Sequence, residues 1–300
     1  MTITRRDWLR GTVCGLVACA GRAPIDATEA PASGAASISD QLAALEASVG
    51  GTLGVAVLTG SGLVGHRLDE RFAMCSTFKM PLVAVILQEV DAGRLSLDQH
   101  LPIVAEDLVY HAPITAPLVG VGATLDQLLA AAQMQSDNVA GNLLLRLIGG
   151  PEGFTARLRA LGDPATRLDR LEPELNVVEP GDERDTTTPT AMARLAATIL
   201  LGDALSPSSR ERLLGWMVAT ETGAKRLRAG FPPDWRAGDK TGTAFSEGLG
   251  NRYNDVAIGF PPQGAPRIVA AYYQTAGYHP EVRDQDQAVL AEVGRIVTAA

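Results

Sequence analysis

The spacing of apolar and polar residues predicts strands near both ends of the chain and helices in its middle. The strand-like runs are apolar or alternating, and Thr59-Gly60-Ser61-Gly62 gives a hairpin signal between the first two. The predicted strands are 52–58, 63–68, 236–243, 253–260 and 267–275. The predicted helices are 39–49, 80–90, 125–134, 138–148, 152–161, 190–201, 207–219 and 280–298.

This order of elements predicts how the chain assembles. The simplest arrangement pairs the two ends in one antiparallel sheet, flanked by the terminal helices, with a central helical domain inserted. We therefore predict an α/β sheet domain from residues 38–72 and 220–300 and an all-α domain from residues 73–219, with the binding site in the cleft between them. Residues 163–187 show no period, and a loop that long is usually functional or disordered.

The first 34 residues resemble an export signal followed by a tether. Residues 4–10 (TRRDWLR) match a twin-arginine signal, and residues 11–20 supply a short apolar stretch. No other segment reaches the roughly 20 apolar residues that a membrane-spanning helix needs. We therefore expect export to the periplasm and no membrane span.

A lipid anchor is one of two predictions for this segment. Leu16-Val17-Ala18-Cys19 resembles a bacterial lipobox, in which Cys19 would be acylated after cleavage. The alternative is a plain signal peptide cut near Ala23 or Ala30, without lipid. Residues 24–37 are rich in Ala, Pro, Ser and Gly and predict a flexible tether.

Composition excludes several classes of protein. The chain is 46% hydrophobic and 20% charged, which excludes intrinsic disorder. Its net charge is −8 with no basic run, which argues against a nucleic-acid partner because phosphate neutralisation needs a concentrated positive face. With Cys14 and Cys19 in the export segment, Cys75 stands alone and no internal disulfide is expected. The histidines lack zinc-site spacing, so no metal is expected.

Three short motifs carry candidate chemistry. Ser76 and Lys79 are one helical turn apart, which can place an amine beside a hydroxyl, and an amine accepts that proton only where burial or positive neighbours lower its pKa. Ser136-Asp137-Asn138 begins a helix, where Ser or Asp can also serve merely as the N-cap. Lys240-Thr241-Gly242-Thr243 ends a strand, where glycine admits a substrate and hydroxyls donate to a carboxylate; the alternative is a strand entering a hairpin.

In this order, the S-x-x-K, S-D-N and K-T-G motifs resemble those of class A serine β-lactamases, over about residues 38–300. The resemblance implies the two-domain fold of the serine β-lactamase and DD-peptidase type. It also implies hydrolysis of the β-lactam amide bond of penicillin- and cephalosporin-type antibiotics through an acyl-enzyme on Ser76. Such an enzyme needs no cofactor or metal, has a small-molecule β-lactam as its partner, and is expected to be a monomer.

The aperiodic segment resembles the omega loop of that family. By this resemblance, Glu172 is the general base on the hydrolytic water and Asn176 is the second ligand of that water. Arg170 and Asp185 carry the charges to clamp the ends of the loop by an ion pair. The bond from Glu172 to Pro173 is of the X–Pro type that can be cis.

The resemblance also implies roles around the leaving group. Lys79 accepts a proton in acylation, and the alternative is that Glu172 does so through water. Ser136 relays a proton toward the lactam nitrogen, and Asn138 hydrogen-bonds the side-chain amide of the substrate. The N–H groups of Ser76 and Thr243 form the oxyanion hole.

The substrate carboxylate is the remaining group to be bound. By the resemblance, Lys240, Thr241, Gly242 and Thr243 receive it. Arg226 matches the position from which one branch of the family supplies a supporting arginine. Arg228 is the competing candidate, and a structural surface arginine remains the alternative for this position.

Three features depart from the family. Cys75 precedes the nucleophile, but Ala244 occupies the position of its disulfide partner, so the carbapenem hydrolysis of disulfide-bearing members is not implied. His111 stands where the family usually has an aromatic gatekeeper; either Tyr110 compensates or ligand stacking is weaker. Residues 245–253 form a longer hairpin segment than usual at the border of the site.

Two other functions share parts of this pattern. A penicillin-binding DD-peptidase acting on peptidoglycan stem peptides has the same three motifs, but the pairing of Glu172 with Asn176 argues against it. A penicilloyl-trapping sensor would acylate without turnover, and it would need a membrane span or a partner domain, neither of which the sequence indicates. The β-lactamase is therefore the favoured hypothesis.

Overall fold

An antiparallel sheet joins the two ends of the chain, as predicted. The structure, a computed structural model, describes residues 36–299. Its strands are β1 (Thr52–Thr59), β2 (Gly62–His66), β3 (Phe72–Ala73), β4 (His100–Leu101), β5 (Ala123–Thr124), β6 (Thr186–Thr187), β7 (Arg236–Ser246), β8 (Gly250–Phe260) and β9 (Arg267–Gln274). The main sheet has the order β2-β1-β9-β8-β7 with every pair antiparallel, and β3–β6 and β4–β5 form two small ladders.

Helices fill the middle and both ends of the described residues, 36–299. They are α1 (Ile38–Val49), α2 (Lys79–Asp91), α3 (Leu125–Met134), α4 (Asn138–Leu147), α5 (Gly150–Ala160), α6 (Pro189–Leu200), α7 (Pro207–Val218), α8 (Leu227–Gly230) and α9 (Asp284–Ala299). Short 3-10 turns lie at Cys75–Phe78, Ala105–Asp107, Ala116–Leu118 and Glu174–Asn176. Each predicted helix overlaps an observed one, and α8 is an addition.

The terminal helices cover one face of the sheet. Alternate residues of β1 point to this face, where Leu53 and Val55 are fully buried together with Leu42 of α1 and Val293 of α9. Burying such a side chain contributes about 1.5–3 kcal/mol, so this layer accounts for the flanking of the sheet by the chain ends. The predicted flanking of the sheet by the terminal helices is confirmed.

The opposite face of the sheet packs on the central helices. Ala56 of β1 and Ala270 of β9 belong to this second core, which also includes α2, α3, α4 and α6. Helix α2 is buried at every position from Lys79 to Leu87, as its apolar sequence predicts. A lysine at the start of such a helix is enclosed, and its amine must find its partners inside the protein.

Two helix starts illustrate the capping rules. The capping box at Thr124 is present, with Gln127 donating from its backbone and accepting in its side chain. Helix α1, in contrast, begins one residue earlier than predicted. Ser37 is its N-cap, because Asp40 lies three residues beyond Ser37 and completes the reciprocal pair of hydrogen bonds.

Some of the sequence predictions concern residues or boundaries on which the structure gives no information. The export signal, the tether up to residue 35 and the lipid anchor at Cys19 lie outside the described residues. Within residues 36–299, no helix is both long and apolar enough to cross a membrane. The domain boundaries at 72/73 and 219/220 stay a prediction.

Helix α1 is tied to strand β2 by a partly buried carboxylate. Glu46 accepts from Arg67 Nε at 2.7 Å, from the Leu53 N–H at 2.8 Å and contacts His66 Nε2 at 2.8 Å. Burial opposes ionisation, but these hydrogen bonds outweigh it and lower the pKa of Glu46 from 4.5 to about 2.

Acid should therefore weaken this connection. A lowered pKa stabilises the folded protein above pH 4.5, and that contribution is lost as the pH falls through about 2. We expect Glu46→Gln to lower the thermal midpoint at pH 7 and to flatten its dependence on pH between 4.5 and 2. Scanning calorimetry across that range tests this, and identical pH slopes for variant and parent would contradict it.

Candidate active site

The candidate nucleophile lies at the start of the buried helix α2. Ser76 is in the 3-10 turn Cys75–Phe78, which runs directly into the helix at Lys79. Lys79 Nζ lies 2.8 Å from Ser76 Oγ, as the three-residue spacing predicts. Cys75 enters the turn with φ 46°, a left-handed conformation that costs a non-glycine residue about 1–3 kcal/mol. The conformation of Cys75, which positions Ser76, therefore lowers the stability of the folded protein.

Oxygen atoms surround the amine of Lys79. Besides Ser76 Oγ, the Nζ atom lies 2.8 Å from Glu172 Oε1, 2.6 Å from Asn138 Oδ1 and 3.0 Å from the Ser136 carbonyl oxygen. An ammonium has three protons, so it cannot donate to all four oxygens at once. The Ser76 hydroxyl lies 3.3 Å from Glu172 Oε1, which gives it an acceptor of its own. This arrangement suits the transfer of a proton from Ser76.

Glu172 reaches this centre from the omega loop, residues 163–187. The Glu172 carboxylate is fully buried, and Oε2 accepts from Asn176 Nδ2 at 2.5 Å. The peptide bond to Pro173 is cis, an isomer that an X–Pro bond permits. The Asn142 side chain holds the backbone of Glu172 on both sides, accepting from its N–H and donating to its carbonyl at 3.0 Å each. The carboxylate therefore faces Ser76 and Lys79 rather than solvent.

The predicted ion pair closes the neck of the omega loop. Arg170 Nε lies 2.5 Å from Asp185 Oδ2. The other carboxylate oxygen of Asp185 accepts from the backbone N–H groups of Asp169 and Arg170 at 2.7 and 3.0 Å. Asp185 is fully buried, so leaving it unpaired would be costly.

The S-D-N motif both caps helix α4 and faces the nucleophile. Asp137 is the N-cap, as the simpler interpretation held, and it also accepts from Thr115 Oγ1 at 2.7 Å. Ser136 has φ 60°, which turns its carbonyl toward Lys79. Asn138 accepts from Lys79 and donates from Nδ2 to the Tyr110 carbonyl at 2.8 Å. Capping and site geometry therefore come from the same three residues.

Strand β7 passes close to the nucleophile because residue 242 is glycine. A Cβ atom there would lie 3.1 Å from Ser76 N and 2.7 Å from the Met74 carbonyl oxygen. The missing side chain thus lets the strand bring the Thr243 backbone beside Ser76. Lys240 Nζ donates to Ser136 Oγ at 2.9 Å and to the Thr241 carbonyl at 2.8 Å. Its burial, together with nearby Lys79, holds the pKa of Lys240 well below its usual range.

The structure distinguishes the two candidate arginines. Arg226 is buried, its Nη2 donates to Thr243 Oγ1 at 2.6 Å, and its guanidinium lies over the Tyr253 ring. Arg228 instead lies 2.8 Å from Asp239 and donates to carbonyls at the end of helix α7, so it supports the fold. Arg226 is therefore the arginine at the site.

Two buried carboxyl groups lie near these cations. Asp239 precedes Lys240, and Asp255 is paired with Thr241 across β7 and β8. Burial raises the pKa of both groups, that of Asp255 to about 6, and the neighbouring Asp255 raises that of Asp239 further. Both carboxyl groups are therefore harder to ionise than an exposed carboxyl group would be.

The site opens into a cleft of about 850 Å³. Sequence-predicted residues that line it are Ser76, His111, Ser136, Asn138, Asn176, Arg226, Thr241 and Thr243. Lys79, Glu172 and Lys240 lie buried behind this lining. His111 is exposed and contacts the Gln135 carbonyl at 3.0 Å, while the largely exposed Tyr110 ring lies 6.2 Å from that of His111. Both rings therefore border the entrance.

Several residues of the site were missed by the sequence analysis. Asn142 is four residues after Asn138 on α4, and this spacing could have shown that the two share a face. Thr222, whose hydroxyl lies 2.6 Å from that of Thr241, had no such signal, nor did Val282 and Gln287.

The segment 245–253 is mostly strand, with Ser246 paired to Gly250 across the turn.

The cysteine beside the nucleophile is buried and reduced. Cys75 packs against Ala244 and Val178, and burial raises the pKa of its thiol to about 12. Ala244 thus lies where the resemblance places a disulfide partner, and it provides no sulfur. Within residues 36–299, no cluster of three or more His, Cys, Asp or Glu residues could hold a metal ion.

Comparison with protein families gives a match over nearly all of the described residues. The model of the Beta-lactamase enzyme family matches residues 37–300. Beta-lactamase AST-1 of Nocardia asteroides is 43% identical, over 99% of this chain and 96% of that protein. Beta-lactamase L2 of Stenotrophomonas maltophilia is 45% identical, over 90% of this chain and 88% of that protein.

Solved structures give the same result. The class A β-lactamase of the reconstructed last common ancestor of Gram-negative bacteria superimposes with a TM-score of 0.83 at 52% identity, covering 88% of this chain and 99% of the other. A β-lactamase from Xanthomonas campestris gives a TM-score of 0.81 at 45% identity, covering 87% and 98%. Fold and sequence therefore agree along most of this chain and almost the whole length of each solved structure.

Proposed function

Because the chain belongs to the class A serine β-lactamases, enzymes that hydrolyse β-lactam antibiotics, we propose that Ser76 forms the acyl-enzyme and that water activated by Glu172 hydrolyses it. One observation carries this assignment: Lys79 Nζ lies 2.8 Å from both Ser76 Oγ and Glu172 Oε1. Nucleophile, amine and carboxylate are then in contact within one buried cluster. The assignment needs no cofactor or metal.

Acylation begins when Ser76 Oγ attacks the lactam carbonyl carbon. The Ser76 proton passes to Lys79 in its neutral amine form, 2.8 Å from Oγ, or through water to Glu172. Negative charge develops on the carbonyl oxygen, which the N–H groups of Ser76 and Thr243 bind as an oxyanion hole. The close approach at Gly242 supports this pairing of N–H groups.

Collapse of the tetrahedral intermediate breaks the lactam C–N bond. The nitrogen takes a proton from Ser136 Oγ, which Lys240 contacts at 2.9 Å and can resupply. The lowered pKa of Lys240 makes its amine a weaker base and a readier proton donor. The ring-opened substrate is left as an ester on Ser76.

Deacylation uses Glu172 and Asn176, the residues that the omega loop brings to the cluster. Glu172 and Asn176 hold a water, Glu172 takes a proton from it, and the oxygen attacks the ester carbonyl. The bond to Ser76 Oγ breaks, and the proton that Glu172 took passes to Oγ, directly or through Lys79, which contacts both groups. The contact between Asn176 Nδ2 and Glu172 Oε2 supports this shared role. The same pair argues against a penicillin-binding DD-peptidase.

Substrate binding falls to the open part of the cleft. Thr241, Thr243 and Arg226 receive the carboxylate, with Lys240 and Gly242 behind them, because this wall holds the hydroxyls and the positive charge. Asn138 binds the side-chain amide of the substrate, and His111 with Tyr110 borders it. The sequence of residues 1–34 supports export to the periplasm, with or without lipid on Cys19.

Counting turnovers tests this proposal. In a stopped-flow experiment with excess nitrocefin, we expect many equivalents to be hydrolysed per enzyme, and none by Ser76→Ala beyond the uncatalysed rate. Mass spectrometry after rapid quenching should find the adduct on the peptide that contains Ser76. A parent enzyme that stops after one equivalent would refute the proposed deacylation and favour a penicillin-binding or sensor protein.

A further inference from the structure

Arg252 is a buried cation that faces the omega loop. It lies on β8 opposite Ala244 of β7 and is almost completely buried. Its Nη1 donates to the Asn176 carbonyl at 3.0 Å and its Nη2 to the Val178 carbonyl at 2.6 Å. A third, longer contact of 3.4 Å goes to Ser246 Oγ. Within residues 36–299, its hydrogen bonds therefore go to uncharged oxygens, two of them in the loop.

Asn176 connects this cation to the proposed general base. Arg252 holds the backbone carbonyl of Asn176, and the side-chain amide of the same residue donates to Glu172 Oε2 at 2.5 Å. Resting on the proposed function, we infer that Arg252 is a positioning residue for deacylation. It fixes the backbone of Asn176 so that the amide meets Glu172 and the hydrolytic water.

The other anchors of the loop act elsewhere. Asn142 holds the backbone of Glu172 itself, and Asp185 holds the neck through Arg170. The Val178 side chain packs in the small apolar cluster that includes Cys75. This packing fixes how deeply Val178 is buried, but it does not fix the direction of the Asn176 carbonyl. A cation that donates to two carbonyls in the same stretch fixes direction, because charge-assisted hydrogen bonds are short and directional.

The inference predicts a selective kinetic defect. Arg252→Met keeps the length and apolar stem of the side chain but donates nothing. Two charge-assisted hydrogen bonds are lost, and we expect the deacylation rate constant to fall about 10–100-fold while the acylation rate constant stays unchanged. Acyl-enzyme should then accumulate during turnover of nitrocefin. Arg252→Lys, which can still donate to one carbonyl, should recover part of the loss.

The experiment separates acylation from deacylation per active site. Active enzyme is first titrated, so that a loss of folded protein does not enter the rate constants. Stopped-flow bursts then give acylation, and the steady state with rapid-quench mass spectrometry gives deacylation. Arg71→Met is the matched control, because Arg71 also donates to the loop, but at its neck, to the Ala165 carbonyl and Thr186 Oγ1 at 3.1 and 3.0 Å.

Each outcome decides the matter. Slow deacylation in Arg252→Met, partial recovery in Arg252→Lys and parental rate constants in Arg71→Met support the inference. Parental deacylation by titrated Arg252→Met overturns it, whatever the thermal midpoint, as does an equal loss in Arg71→Met. If Arg252→Met does not fold, parental deacylation by both Arg252→Lys and Arg252→Gln overturns it. A parent enzyme without turnover refutes the proposed function instead.

Discussion

Glu172→Ala is expected to acylate once and then stop. Within the described residues, Glu172 provides the carboxylate in contact with Ser76, at 3.3 Å. General-base catalysis contributes about 10²–10⁴-fold, and we expect the deacylation rate constant to fall by that factor. Stopped-flow mixing with nitrocefin should show a burst of one equivalent followed by a slow phase, and mass spectrometry should find the trapped ester.

The speed of the burst in this variant distinguishes the two bases proposed for acylation. If Lys79 takes the Ser76 proton, the burst of Glu172→Ala keeps the parental rate, because the Lys79–Ser76 contact of 2.8 Å does not involve Glu172. If Glu172 takes it through water, the burst slows as well. Glu179→Ala, an exposed carboxylate on the same loop, is the matched control and should behave as the parent. Rapid, repeated turnover by Glu172→Ala would contradict its role in deacylation.

Periodicity and short spacing predicted the parts of the molecule that depend on neighbours in sequence. The strands near both chain ends, the buried helix α2 and the contact of Ser76 with Lys79 all follow from residues a few positions apart. The contact of Lys79 with Glu172, 93 residues away, followed only from resemblance to a family. Local sequence patterns do not predict which loop packs against which helix.

Residues that act across the fold were not predictable from spacing. Arg252 has no motif around it, and its role follows only from the two carbonyls that it meets in the omega loop. Arg226 and Arg228 are two residues apart, and the sequence left both open. The fold separates them, because Thr243 meets one and Asp239 meets the other. Such partners are set by the tertiary structure, which a single sequence does not spell out.

Three of the five non-glycine residues with positive φ within residues 36–299 lie in or beside the cleft. Cys75, His111 and Ser136 have φ values of 46°, 62° and 60°, and each adjoins or belongs to the cleft. Left-handed conformations cost non-glycine residues about 1–3 kcal/mol each, so the surrounding structure must hold them. Helix α2, buried from Lys79 to Leu87 in the central core, provides the rigid support on one side. Stability gained in that core thus offsets the strain at the site.

Lys79→Met is expected to lose both activity and stability. The side chains of Lys79 and Glu172 are both fully buried, and their charged atoms lie 2.8 Å apart. Removing one partner of a buried ion pair costs about 3–5 kcal/mol, because the other is left without its counter-charge. Losing the amine beside Ser76 should also slow acylation about 10²–10⁴-fold. Urea unfolding and stopped-flow kinetics measure the two effects.

A second substitution tests whether the lost stability comes from the unpaired carboxylate. Adding Glu172→Gln to Lys79→Met should restore much of the free energy of unfolding, since the amide needs no counter-charge, while activity stays lost. The matched control is Lys225→Met, which removes an equally close but exposed contact with Asp284, and its unfolding should match that of the parent. If Lys79→Met unfolds like the parent, or the double variant regains nothing, Lys79 and Glu172 do not act as a coupled buried pair.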